Sequence, residues 1–540
     1  MNRNYSQLSG PRVWALATAL TCLAGFGELV QAGIYYIDPN YAGVEGAPDG
    51  TYAGVYKTIT TALGSGGVPS GASASNPNRL YFAPGVYNTA ITTGVSLSNS
   101  KNNIALIGVT GNPDDVVITS FLDSAYNPGS GALGTTGSST LQLKGNNTSA
   151  IGITFANSTN TPYIVSTGHK AVTPTGDYAS GTTAQTTNQP AVALLLQGDQ
   201  QAFLNCKFLG YQDTLYTKGG RSYFKNSTVS GDIDFIFADG TTVFDNSTIN
   251  MDGDHSGGTI TAASTDKRTS NGIVFLNSTV TANGVKNNPV IDPQGAANAS
   301  GPAANNMYLG RPWGWQQVGG DASTVFINTK TPAAIRAVGW LNWNANELNV
   351  ANGKQDGNPA KDSRYAEYNS MDSVGAPLDV SSRVTWSHQL TAAQAAAYSV
   401  ANLFSFEPQY PWYGQGYPAG DANNPGTGSA NPADANYSWP AYWGDRNSNN
   451  DTANATVSQT YPTPGNPAAY TDPKWLVSGS WDPMAQLAIA GVPEPSTIVL
   501  ITSGAIVLAF AMRRSGSPRR DQHRIAKNRN WHVPLLATSE

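Results

Sequence analysis

Two aspartates stand 21 residues apart, Asp213 in Tyr211-Gln212-Asp213-Thr214-Leu215 and Asp234 in Gly231-Asp232-Ile233-Asp234-Phe235-Ile236-Phe237. The same interval of 21 separates Asn205 from Asn226. If it is one coil of a stacked structure, equivalent positions lie about 4.8 Å apart and the two carboxylates face each other across one strand spacing. Like charges that close, beside Phe235, Ile236 and Phe237, do not both ionise cheaply, so one group keeps its proton. An ester hydrolase needs that pairing: an ionised carboxylate to attack the carbonyl and a protonated one to donate to the departing alkoxide. Spacing alone leaves two other readings open, a purely structural pair and a calcium site.

The remaining nucleophile and ligand types offer little. His169, His255, His388, His523 and His532 show no metal-ligand spacing, and no Gly-x-Ser-x-Gly elbow supports a serine triad. Cys206 lies in the apolar run Ala202 to Phe208 and reads as a core thiol. The only other cysteine, Cys22, falls in a predicted signal peptide, so the mature chain has no intramolecular disulfide. No metal and no cofactor is expected.

The elements that must position the aspartates announce themselves as a repeat. Phe155-Ala156-Asn157-Ser158-Thr159, Phe224-Lys225-Asn226-Ser227-Thr228, Phe244-Asp245-Asn246-Ser247-Thr248 and Phe275-Leu276-Asn277-Ser278-Thr279 are four copies of one pattern, and Phe203-Leu204-Asn205-Cys206 is a fifth. Asn205, Asn226 and Asn246 are 21 and 20 residues apart, a solenoid period, and each follows a short β-prone run. The expected fold is all-β, a parallel β-helix with a short C-terminal helix. The Asn-Ser-Thr triplets also match the glycosylation acceptor pattern, but their coil positions favour asparagine ladders. Thr391-Ala392-Ala393-Gln394 reads as a capping box that starts a helix running to about Asn402, placed to cover one end of the solenoid.

Composition agrees with an exported protein. Charged residues are 12% of the chain, while Gly (57) and Pro (33) are abundant. A net charge of -5 provides no basic field for nucleic acid. Arg3 and Arg12 precede the apolar stretch Val13 to Phe26, and Val30-Gln31-Ala32 offers a cleavage site, so residues 1–32 read as a signal peptide. A lipoprotein reading at Cys22 is disfavoured, because Ala19-Leu20-Thr21 lacks the small residue expected before the cysteine. Near the other end Val492-Pro493-Glu494-Pro495-Ser496-Thr497 leads into the apolar run Ile498 to Met512 and then Arg513, Arg514, Arg519 and Arg520. This unit, 492–520, resembles the PEP-CTERM sorting signal of some Gram-negative bacteria. The resemblance implies exosortase-type sorting machinery as a partner, contact with the membrane through the apolar helix, and display at the cell surface or outer envelope or release from it. A plain membrane anchor is the alternative. Residues 405–491, rich in Pro, Gly, Asn and aromatics, read as a spacer, with sugar stacking on the aromatics as a second reading. Residues 521–540 are a polar tail.

Gln212-Asp213-Thr214-Leu215, Asp234-Phe235-Ile236-Phe237 and Leu309-Gly310-Arg311-Pro312-Trp313 resemble three signature blocks of the pectin methylesterase family. Ala191-Val192-Ala193-Leu194, Gly258-Thr259-Ile260-Thr261-Ala262, Gly339-Trp340 with Trp343, Tyr365 to Asn369 and Arg383-Val384-Thr385-Trp386 extend the likeness, within a catalytic domain expected over 33–404. The resemblance implies a right-handed parallel β-helix of the pectin lyase-like type, and a monomeric, cofactor-free carboxylic ester hydrolase that removes methyl esters from pectin or a related polyuronide. It implies Asp234 as nucleophile, Asp213 as acid and then base, Arg311 as the partner of Asp234, and Gln212 as oxyanion donor. Trp313, Phe235, Tyr216 and Gln189 would contact the sugar chain. Two positions depart from the family pattern. Its glutamine before the Ala-Val-Ala-Leu block is Pro190 here, with Gln189 one residue earlier, so a donor to the oxyanion is lost unless Gln189 swings in. Thr89 replaces a frequent glutamate, at a position read as structural. A surface-displayed polysaccharide-binding protein with little turnover, and an esterase of the same fold on another ester, stay open as alternatives. Gln212 and Asp213 are neighbours, so both line one site only if a bulge or turn falls between them.

Overall fold

The computed structural model describes residues 32–89, 96–127, 129–159, 190–253, 257–265, 271–284, 301–313, 322–341, 364–384, 387–404 and 480–491. The chain forms two units, Met1–Gly491 and Val492–Glu540, and the second lies wholly outside the described residues, with the sorting motif and apolar run. Residues 1–31 of the expected signal peptide and residues 405–479 also lie outside them. Among the described residues no helix is long and apolar enough to cross a membrane.

Among the described residues, short runs of Phe, Val, Ile and Thr, punctuated by Asn and Gly, form strands of two to six residues that stack in three parallel sheets of 12, 7 and 7 strands. One coil runs Gln201–Leu204, Lys207–Leu209, Leu215–Thr217, visiting each sheet once. The next runs Arg221–Lys225, Thr228–Gly231, Ile233–Ala238, and the next Thr241–Asp245, Thr248–Met251, Thr259–Ala263. Every pairing between these coils is parallel, as the 21-residue interval predicts for a β-helix.

The asparagine ladder is present. Asn205, Asn226, Asn246, Asn277, Asn328 and Asn369 turn the first corner with φ of 50 or 51°, a left-handed conformation that Asn tolerates better than most side chains. Their amides bond along the stack: Asn246 donates to Asn226 at 2.7 Å, Asn328 to Asn277 at 3.2 Å and Asn369 to Asn328 at 3.0 Å. Two residues earlier, Phe203, Phe224, Phe244, Phe275 and Phe326 stack inside the solenoid with ring centroids 4.3 to 5.0 Å apart. Phe155 to Thr159 is not a copy of this corner. Thr154–Asn157 belongs to another sheet, where Phe155 pairs with Phe208, and the corner position in that coil is Gly152 at φ 64°. Cys206 is core as expected, its thiol pushed up to about 12 by burial.

The C-terminal elements lie on the outer face of the 12-stranded sheet. Thr391 forms the capping box, but the helix it starts is Ala392–Ala396; Ser399 then caps a second, Val400–Leu403. Leu390, Ala395, Tyr398, Leu403 and Phe404 pack on the outward residues Ala202, Tyr223, Val243, Val274 and Val325. The expected spacer does not run uniformly away from the solenoid. Its last residues return to the same face, where Trp481 N–H donates to the Phe404 carbonyl at 3.0 Å and Pro483–Gly491 is a docked helix. Phe404 and Trp481, on either side of residues 405–479, are thus joined directly. Gln486 bonds Thr148 and Ser149, and Arg79 donates to the carbonyls of Ile489 and Ala490 at the helix C-terminus, where a cation is favoured.

This clasp is anchored by a buried ion pair. Arg221 Nε and Nη2 donate to Asp199 at 2.9 and 2.8 Å, its Nη1 donates to the Phe404 carbonyl, and its guanidinium faces Trp481. Removing one member of a buried pair leaves the other uncompensated, at a cost of about 3–5 kcal/mol. Arg221→Met is therefore expected to lower stability by about that amount, read as a fall in the urea midpoint at unchanged m-value.

Candidate active site

The site is built where each coil passes from one seven-stranded sheet to the other. Gln212 bridges to Ile233 on the next coil, and Leu215 pairs with Ile236, so Asp213 and Asp234 occupy equivalent positions one coil apart. Both adopt left-handed backbone, φ 61° at Asp213 and 49° at Asp234. That conformation breaks strand alternation after Gln212, the kind of turn required if Gln212 and Asp213 are to line one site. At Asp234 the ladder slips as well: Ile233 to Ile236 opposes Thr259 to Thr261, a β-bulge with the aspartate as part of its extra length. Gly231 is required nearby, because a Cβ there would collide with Phe235 and Thr214.

Asp234 is 5% exposed and held on both oxygens. Arg311 Nε donates to Oδ1 at 2.9 Å, its Nη2 donates to Oδ2, and Thr259 Oγ1 donates to Oδ1. Arg311 comes from Tyr308–Pro312, and its planar fork suits a bidentate carboxylate better than lysine would. Asp213 has a different environment. Burial first, and then the charge of Asp234, push its carboxyl well above the usual 3.8, with Arg311 pulling partly the other way. Register thus stacks the two aspartates, as their spacing predicts, and gives their carboxyl groups different environments.

A row of outward residues on the same sheet, Leu195, Tyr216, Phe237, Ala262 and Arg311, lies in register across five coils. Trp313 packs beside this row, half-buried, its ring 6.0 Å from that of Phe237. Tyr216 is stacked on Phe237 at 3.9 Å and is 5% exposed, so it supports this surface from within. Its hydroxyl donates to Asp239, and burial followed by Asp239 raises its pKa. Phe235 does not line the site. It is fully buried in the solenoid core, because the bulge turns Phe235 and Ile236 inward and leaves Phe237 as the outward aromatic. Gln189 lies outside the described residues. Pro190 sits where the Ala191 N–H donates to the Gln212 carbonyl, on the coil preceding the aspartates. Thr89 is structural, buried with its hydroxyl donating to the Thr140 carbonyl. The residue that sequence reasoning missed is Thr259, although it stands in the Gly258 to Ala262 block of the family likeness and lies one coil after Asp234.

A model of the pectinesterase family matches residues 175–407, a span that contains all of these groups except Thr89. Pectinesterase 31 of Arabidopsis thaliana is 30% identical over 366 residues, covering 67% of this chain and 92% of that protein. The chain belongs to the pectinesterase family. It is also 30% identical over 368 residues to Probable pectinesterase/pectinesterase inhibitor 58 of the same plant, and there it spans about half of the relative, 52%. Among solved structures, pectin methylesterase PemA from Erwinia chrysanthemi aligns at 27% identity and a TM-score of 0.49, over 69% of this chain and 96% of that one.

In this pectinesterase-family chain the raised pKa of Asp213 has a stability cost of definite sign. Between the unfolded pKa near 3.8 and the higher native one, the native state holds a proton that the unfolded state has lost. Stability therefore falls as pH rises through that window and levels off above the native pKa. Asp213→Asn should match wild type below pH 3.8 and be more stable at neutral pH. Its advantage in the folding equilibrium should grow about tenfold for each pH unit between 3.8 and the native pKa, read in urea titrations across pH.

Proposed function

We propose that this protein is a pectin methylesterase that converts methyl-esterified polygalacturonate and water to pectate and methanol through an acyl-aspartate intermediate. The observation that carries the reading is the asymmetry of the pair: a carboxylate clamped by Arg311 on one coil, beside a carboxyl on the preceding coil whose pKa is raised by desolvation and by that neighbour. Family membership supplies the substrate class. The Asp234 carboxylate attacks the ester carbonyl, and Gln212 donates to the developing oxyanion. Collapse breaks the C–O bond to methoxide as Asp213 delivers its proton, releasing methanol and leaving an anhydride with Asp234. Asp213, now ionised, takes a proton from water; the hydroxide attacks the acyl carbon and Asp234 leaves as carboxylate. Trp313 offers a flat face for a sugar ring, and no cofactor is needed.

Pro190 favours one restrained alternative. It has neither an amide side chain nor an N–H, so the position gives the oxyanion nothing, and loss of one such donor slows a reaction about 10²- to 10³-fold. A chain that slow would act mainly as a pectin-binding surface. Export and exosortase-type sorting, read from the two ends of the sequence, complete the proposal by placing the site outside the cell, where the polymer is.

The test is methanol release from highly methylated pectin by the purified protein, wild type beside Asp234→Asn. Release by wild type and none by the variant is expected. A folded wild type that binds pectin without releasing methanol contradicts the enzyme and supports the binding protein.

A further inference from the structure

We propose that Thr259 is the positioning residue for Asp234 in the esterase reaction, an inference that rests on the reading of Asp234 as nucleophile. The Thr259 hydroxyl contacts Asp234 twice. It accepts the Asp234 backbone N–H at 3.1 Å and donates its own proton to Oδ1 of the same residue. One hydroxyl thus joins the main chain and side chain of Asp234 in a closed ring, which leaves the carboxylate a single orientation. A serine or threonine hydroxyl has one proton and two lone pairs, so both contacts are satisfied at once.

The division of labour with Arg311 follows from the two side chains. Arg311 brings charge and a fork of donors on a long side chain that is 23% exposed. Thr259 is 2% exposed, stiff at χ1 because it is β-branched, and fixed by a strand whose own pairing continues on both sides, to Ile233 and to Tyr308. It also stands beside a turn that needs support. Ile233 pairs with Thr259 immediately before the bulge, and Asp234 follows in left-handed backbone at φ 49°, a conformation that non-glycine residues hold only when their surroundings enforce it. The Thr259 backbone N–H donates to the Asp232 carbonyl at 3.1 Å, so the residue grips the turn on the near side of Asp234 as well. Arg311 makes the carboxylate a better-matched ion; Thr259 sets the angle at which it meets the ester carbonyl. Misplacement of a reacting group by about 1 Å costs up to about 10²-fold in rate.

Three variants of the full chain separate this from a plain packing role. Thr259→Val keeps the shape and removes the hydroxyl, Thr259→Ala removes the hydroxyl without placing a methyl against the carboxylate, and Thr259→Ser keeps the hydroxyl. On highly methylated pectin, Val and Ala are expected to lower kcat about 10- to 100-fold with KM changed less than about threefold, and Ser to retain kcat within about threefold of wild type. A wild-type kcat in the Val and Ala variants, or an equal fall in all three, overturns the inference. Asp234→Asn run alongside keeps the two failures apart. Activity surviving in Asp234→Asn removes the nucleophile assignment itself, whereas activity lost there and kept in Thr259→Val removes only the positioning role.

Discussion

Stacking parallel coils at one strand spacing forces equivalent residues of neighbouring coils into contact, and everything else in this solenoid follows from what those residues are. Where they are phenylalanines, rings stack at 4.3 to 5.0 Å and fill the interior. Where they are asparagines, amides pass hydrogen bonds from coil to coil and fix the left-handed corner. Where they are aspartates, the same geometry becomes costly, because two carboxyl groups held together and buried cannot both be charged cheaply. Among the described residues that cost falls on Asp213 and Asp234, where Arg311 clamps one member and desolvation with the neighbouring charge raises the pKa of the other. In the proposed reaction this local loss of stability is exchanged for two groups of opposite function, the kind of trade common at active sites.

The second requirement is a backbone that departs from regular strand at the same two positions. Left-handed turns at Asp213 and Asp234 and the bulge against Thr259 and Thr261 re-aim the side chains that a regular strand would send to opposite faces. The rest of the coil remains regular, which is why the outward row from Leu195 to Arg311 stays in register beside the distorted segment. A rigid ladder thus carries a small irregular site, and Trp313 extends it along the surface.

Much of this was legible in the sequence because a solenoid writes its period into the chain. The 21-residue interval implied the stacking of Asp213 on Asp234, and the Phe-x-Asn pattern marked the coil corner. The pattern misled at Phe155, since a Phe-x-Asn-Ser-Thr string satisfies two different sheets and only the pairing with Phe208 tells them apart. Phe235 was misplaced for a related reason: alternation predicts faces only in regular strand, and the bulge shifts the outward aromatic to Phe237. Thr259 was missed because its partner is set by register across a bulge, which no local string records. The blocks around Glu367 and Arg383 carried the family likeness without a visible reason; the structure supplies one, a buried two-bond pair at 2.7 and 3.0 Å. The return of residues 480–491 to the sheet was hidden by composition, as a nine-residue helix beyond a long polar segment offers no period to read.

The central claim is that register and burial together keep Asp213 protonated beside Asp234. Carboxyl 13C NMR of Asp213, titrated in the wild type and in Asp234→Asn, tests it most directly. The account predicts a midpoint well above 3.8 in the wild type that falls part of the way toward 3.8 in the variant, because burial, the larger cause, remains when the neighbouring charge is removed. A wild-type midpoint at or below 3.8, unmoved by Asp234→Asn, would contradict it.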